Sequence, residues 1–208
     1  MDLKKFIEKS ETLFVLDRDS GKVVFSIDEI PVDLQRIVNS VSKMNFKVVQ
    51  IETEGWNILT SKYHLYPVSM IGMSSEKYTL LQNDTTTAIV KPSERLDRFF
   101  ENIRKRSLED LVLGKFIEVA GTISPCGEEY DVKGDLNEEE IRLINGIIHA
   151  NDSLAALIGE MISLISGMIW YPLKGWFIVG EEHTLVSIFG KWVIIPSKIF
   201  EEILLEGE

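Results

Sequence analysis

The chain has 208 residues, 33 acidic against 22 basic side chains, a formal net charge of −11 and 45% apolar residues. That composition supports a sizeable core and excludes disorder over the bulk of the chain. The acidity argues against nucleic acid and anionic membrane as main partners, because both are polyanions. A single cysteine, Cys126, excludes an internal disulfide framework and a Cys-rich zinc site. Met1 to Lys5 leads into polar sequence rather than an apolar signal core, so a cytoplasmic protein is expected. Three glutamines beside 25 isoleucines fit a thermophilic source.

In chain order, a short opening helix is expected over Leu3 to Lys9, then a β-rich run from Thr12 to Leu16. Asp17-Arg18-Asp19-Ser20-Gly21 reads as a tight turn and Lys22 to Ile27 as the return strand. Leu34, Ile37, Val38 and Val41 have helical spacing, and Pro31 suits a first helical turn. Strands follow at Gly55–Ile58, Val68–Gly72, Lys77–Gln82 and Ala88–Lys91, then an apolar-periodic helix over Leu96 to Ile103. Ser107-Leu108-Glu109-Asp110 is a capping box that opens a helix to about Phe116. Glu118–Ile123, the turn Ser124-Pro125-Cys126-Gly127 and Glu129–Lys133 make a second hairpin. Asn137-Glu138-Glu139-Glu140 caps a long helix, which Asn151-Asp152-Ser153 is expected to break in two. Leu154 to Leu173 carries one charge, Glu160, and is long enough to cross a bilayer. Gly159, Ser163, Ser166, Gly167 and Pro172 inside it point instead to a buried helix, a turn at Ser166-Gly167 and a strand, so no membrane span is expected.

The same order of elements occurs twice. Gly55-Trp56-Asn57-Ile58 is echoed by Gly175-Trp176-Phe177-Ile178, and Val68–Gly72 by Val186–Gly190. Ala88–Ser93 is echoed by Trp192–Ser197, each an apolar run ending in Pro-Ser before a helix. On this alignment either the first copy has an extra strand, Lys77–Gln82, or the second copy is one strand short. Charge divides the same way: residues 1–106 carry 16 basic and 15 acidic groups, and residues 107–208 carry 6 and 18. Two modules are therefore expected, 1–106 near-neutral and 107–208 strongly acidic, each an α+β unit with an antiparallel sheet flanked by helices.

Catalytic signals are weak. His64, His149 and His183 lack partners at metal-ligand spacing, and no phosphate-binding Gly-Lys-Ser/Thr loop, dinucleotide fingerprint or Gly-x-Ser-x-Gly elbow exists. Cys126 has only Glu128 and Glu129 as near charges, which disfavour a reactive thiolate. Arg95, Arg98, Arg104, Lys105 and Arg106 read as a solvated face on and after a helix whose dipole they complement. No catalytic, cofactor-binding or metal-binding residue is assigned. Ile141, Ile144, Ile148, Leu154, Leu157, Met161 and Ile165 form an apolar stripe that is a candidate interface. Gly146, Ala150, Ala155, Ala156 and Gly159 would permit close helix approach there. Glu138, Glu139 and Glu140 form a candidate acidic patch.

The Asp17–Gly21 and Ser124–Gly127 turns with their strands, the helix from Asn137 and the strands through Gly175 and Val186 resemble the roadblock (dynein light chain seven) family, in tandem. The resemblance implies two modules that align their sheets edge to edge, as an intramolecular pseudo-dimer or a homodimer. It implies a non-enzymatic scaffold or regulator without cofactor, which either binds a Ras-like small GTPase or recruits a protein complex. The alternative expectation is a small-molecule sensor of the profilin, PAS or GAF type, with a ligand enclosed by sheet and helices.

Overall fold

The computed structural model describes residues 3–17, 20–32, 34–36, 38, 70–74, 78–83, 85–127, 129–167 and 174–205. The first half contains α1 (Leu3–Lys9), β1 (Thr12–Asp17), β2 (Val23–Ser26), β3 (Met70–Ser74), β4 (Thr79–Gln82), β5 (Thr86–Val90) and α2 (Glu94–Lys105). The second contains α3 (Leu108–Val112), β6 (Val119–Ile123), β7 (Tyr130–Lys133), α4 (Glu138–Ser166), β8 (Gly175–Val179), β9 (His183–Ser187), β10 (Lys191–Pro196) and α5 (Ser197–Leu204). Residues 32, 34–36 and 38 are helical as well, with Leu34 and Val38 buried.

The ten strands of the described residues join one antiparallel sheet in the order β2-β1-β5-β4-β3-β8-β9-β10-β6-β7. Counted within its own half, each module runs second, first, fifth, fourth, third. The two meet where β3 pairs β8 over five residues, Met70↔Val179 to Ser74↔Gly175. One number relates the halves. Adding 105 carries Ile71↔Gln82 onto Trp176↔Ser187. It also carries Thr79↔Val90 onto Thr184↔Ile195, and Leu16↔Thr87 onto Gly121↔Trp192. Exchanging the halves turns Met70↔Val179 into Ser74↔Gly175, the mark of a pseudo-twofold axis through the joint. Register is fixed this firmly because a one-residue slip would turn every buried side chain to the wrong face.

Both faces of the sheet are covered along strands such as β8 and β10, which therefore read as continuous apolar runs. In β8, Trp176 and Ile178 face one cluster while Phe177 and Val179 face the other. In β10, Trp192 and Ile194 alternate with Val193 and Ile195 in the same way. The first cluster takes Ile144 and Ile148 of α4 together with Leu34 and Val38. The second takes Leu3 of α1, Leu96, Phe100 and Ile103 of α2, Leu108 and Leu111 of α3, and Phe200 and Leu204 of α5. The paired helices α2 and α5 meet through Phe99 and Phe200, ring centroids 6.0 Å apart, and Ser93 Oγ donates to the Ile203 carbonyl at 3.0 Å.

The structure corrects the sequence alignment at three points. Val68–Gly72 echoes Val186–Gly190, which overlaps the end of β9, but Met70–Ser74 forms β3, the counterpart of β8; Gly55–Ile58 lies outside the described residues. The second half is not a strand short, since each half contributes five strands among the described residues. The helix after Ser107 ends at Val112 rather than Phe116, with Gly114 and a left-handed Lys115 closing it.

The break expected at Asn151–Ser153 does not occur either. α4 runs unbroken for 29 residues from a capping box at Asn137 to Gly167, whose φ of 66° is the left-handed cap that glycine supplies. Asn151 Nδ2 donates to the Ile147 carbonyl and Ser153 Oγ to the His149 carbonyl, so both polar side chains bond back onto the helix. Among the described residues, no helix is long and apolar enough to cross a membrane.

Candidate functional site

α4 brings a half-buried carboxyl group, Asp152, onto the second module. Asp152 lies one turn beyond Ile148, on the face that α4 turns to the sheet. Its Oδ1 accepts from Trp176 Nε1 on β8 and, at 3.0 Å, from Ser187 Oγ on β9. Trp176 and Ser187 are cross-strand neighbours, and Ser187 in turn pairs Trp192, which pairs Gly121. A row Trp–Ser–Trp–Gly therefore crosses four strands beneath the helix. Burial pushes the Asp152 carboxyl above the usual carboxylate range; the Trp176 and Ser187 hydrogen bonds, His149 and the Gly190 backbone N–H pull the other way. The arrangement anchors helix to sheet through a carboxyl group with two fixed donors. The signal for it in the sequence is a lone acidic residue on an apolar helical stripe.

Two other polar groups are buried nearby without partners among the described residues. They are both amide atoms of Asn145, seven residues before Asp152 on α4, and the Trp192 indole N–H. Gly121 leaves the room that the Trp192 indole fills. His149 lies against Gly127 of the β6–β7 turn, where Cys126 is exposed and its Sγ is 3.2 Å from Ser124 Oγ. Among the described residues no group of three His, Cys, Asp or Glu side chains could hold a metal ion. His183 pairs with Glu118 at 3.1 Å at the surface, and His64 lies outside the described residues.

The candidate interface stripe divides. Ile144 and Ile148 are core side chains packed on the sheet, which removes them from an exposed interface, and Ile141 is half-buried. Leu157 is 52% exposed and Leu164, which the stripe omitted, 83%. The side chains of Leu154, Met161 and Ile165 lie outside the described residues. Gly146 faces open space rather than a neighbouring helix. In the acidic patch, Glu138 and Glu139 are exposed at the α4 N-terminus, Glu138 facing Arg142 at 3.9 Å. Glu140 accepts the Asn137 N–H at 2.9 Å while Asn137 Oδ1 accepts the Glu140 N–H at 3.0 Å, so it caps the helix. The basic residues of α2 form a solvated face: Arg98 pairs Glu94 at 3.0 Å and Lys105 pairs Glu101 at 3.1 Å.

A cavity of about 760 Å³ opens on the first module between α1, β1, β2 and the β4–β5 turn. Leu3, Ile7, Val15, Val24 and Phe25 give it apolar walls, and Thr12, Asn83 and Thr86 are among its polar ones. In the second module, α3 packs on β6, and Lys133 of β7 reaches Glu109 of α3 at 3.1 Å. Sequence reasoning missed this cavity, because its lining comes from four separate segments. A family model described as "Uncharacterized conserved protein (DUF2173)" matches residues 108–202, from the start of α3 into α5. No curated protein and no solved structure matches the chain.

Proposed function

We propose that the protein is a non-enzymatic scaffold or regulator, a tandem of roadblock-like modules at 1–106 and 107–208 acting in the cytoplasm on a protein partner, a Ras-like small GTPase. The observation that carries this reading is the repeated strand order, with the two modules joined edge to edge at their third strands. The joint supports the intramolecular pseudo-dimer that the resemblance implies. The acidic α4 N-terminus supplies a charged surface for steering such a partner.

The test is binding of the purified chain to small GTPases of the same source, each loaded with GDP or a non-hydrolysable GTP analogue. Binding that differs between the two nucleotide states is expected. No binding in either state, across the GTPases of that source, would overturn the partner assignment. The cavity beside β2 favours a second reading, a small-molecule sensor. Native mass spectrometry of the purified protein separates the two: a metabolite that stays bound through purification supports the sensor, and its absence counts against it.

A further inference from the structure

The two outer strands of the sheet are built differently. β7 carries Asp131 and Lys133 within four residues, and Lys133 is tied to Glu109 and lies 4.0 Å from Asp131. Charges on an outer strand are a common defence against pairing with another chain. β2 has no such defence. Its four residues are Val23, Val24, Phe25 and Ser26, and the three apolar ones are 54%, 68% and 47% exposed. Among the described residues β2 pairs with β1 alone, and no described strand pairs with its other edge. The extra residue at Val24, a bulge against Val15 and Leu16, bends the strand without charging it.

Charge identifies the occupant. Lys22 stands just before β2 and Asp28 two residues after it, at the start of a bend. Both are exposed, and neither side chain has an ionic partner among the described residues. In an antiparallel pairing of β2 with its own copy centred on Phe25, residue numbers opposite each other differ symmetrically about 25. Lys22 then faces Asp28 of the second copy, and Asp28 faces Lys22, so the strand is complementary in charge to itself. The two Phe25 rings meet at the centre, where an aromatic cross-strand pair adds to sheet stability. The molecule already contains one such joint, the five-residue pairing of β3 with β8.

We propose that β2 is a self-association edge, at which a second copy of this chain pairs antiparallel in a twofold joint centred on Phe25. The joint is closed, because a twofold pairing uses the same edge of both copies and leaves only the guarded β7 strands outside.

The experiment measures the mass of the full-length chain against concentration by sedimentation equilibrium, with circular dichroism confirming each variant's fold. A dimer is expected, and Phe25→Lys should render it monomeric. Lys22→Glu and Asp28→Lys each place like charges opposite each other twice, and each should weaken the dimer about tenfold. An equimolar mixture of those two variants should restore association, since a mixed pair regains opposite charges at both contacts. Asp131→Lys on β7 should leave the dimer unchanged. A chain that stays monomeric at all concentrations overturns the proposal. So does a dimer broken by Asp131→Lys but not by Phe25→Lys, or a mixture that fails to restore association.

Discussion

Asp152 shows how one residue couples a helix to two strands. Because burial raises its pKa, the folded state holds the proton more tightly than the unfolded chain does. Its contribution to stability is then greatest below the ordinary aspartate value, about 3.9, and is lost as pH rises through the raised folded value. Asp152→Asn keeps an acceptor oxygen for Trp176 and Ser187 and removes the charge. The variant should melt at or above the wild-type temperature at neutral pH, and the wild type should gain on it as the solution is acidified. Melting followed by circular dichroism across that range checks this; a variant that loses most stability at neutral pH would show the ionised carboxylate to be favourable. Gly121 is a residue of the opposite kind, important for what it lacks. A Cβ there would fall inside the Trp192 indole. Gly121→Ala should cost about 1–3 kcal/mol by overpacking, read from denaturant unfolding; unchanged stability would mean that the indole swings aside freely.

At the scale of elements, α4 depends on its ends. Asn137→Ala removes the side chain that accepts the Glu140 N–H, and should lower stability by about 1 kcal/mol, with Asn137→Ser recovering most of it. Chemical denaturation of the three proteins side by side tests this. The same cap was legible in the sequence, as were the opening helix, both hairpins and the Ser166-Gly167 stop, because each is written in local chemistry: a capping residue, a turn residue, a period of apolar side chains. The continuity of α4 was not legible. Asn151, Asp152 and Ser153 are turn-forming residues in isolation, and only the sheet beneath shows that one anchors the helix while its two neighbours bond back onto it. The true repeat was half legible. The Pro-Ser match lies within one residue of the structural offset, whereas the Gly-Trp match does not follow it, since short apolar strands share composition regardless of their place in a sheet. The cavity beside β2 could not be read at all, because it depends on which segments the fold brings together.

For the whole molecule, the charge difference between the halves is the property a partner meets first. Changing Glu138, Glu139 and Glu140 together to Gln leaves the cap in place, since glutamine also serves in a capping box. Association with a basic partner surface should slow by up to about tenfold at low ionic strength and by much less at high salt. Stopped-flow rates at several salt concentrations measure it, and a rate that does not respond at low salt would exclude this patch from the encounter. Joining the modules through β3 and β8 has a further consequence. Ten strands side by side span roughly 43 Å, with 1–106 near neutral toward one end and the surplus of 12 negative charges in 107–208 toward the other. A frame with nearly twofold symmetry thereby becomes a strong electric dipole. In the field of a charged partner a single copy turns before it touches, whereas the twofold joint at β2 would set two acidic ends outward and cancel that asymmetry.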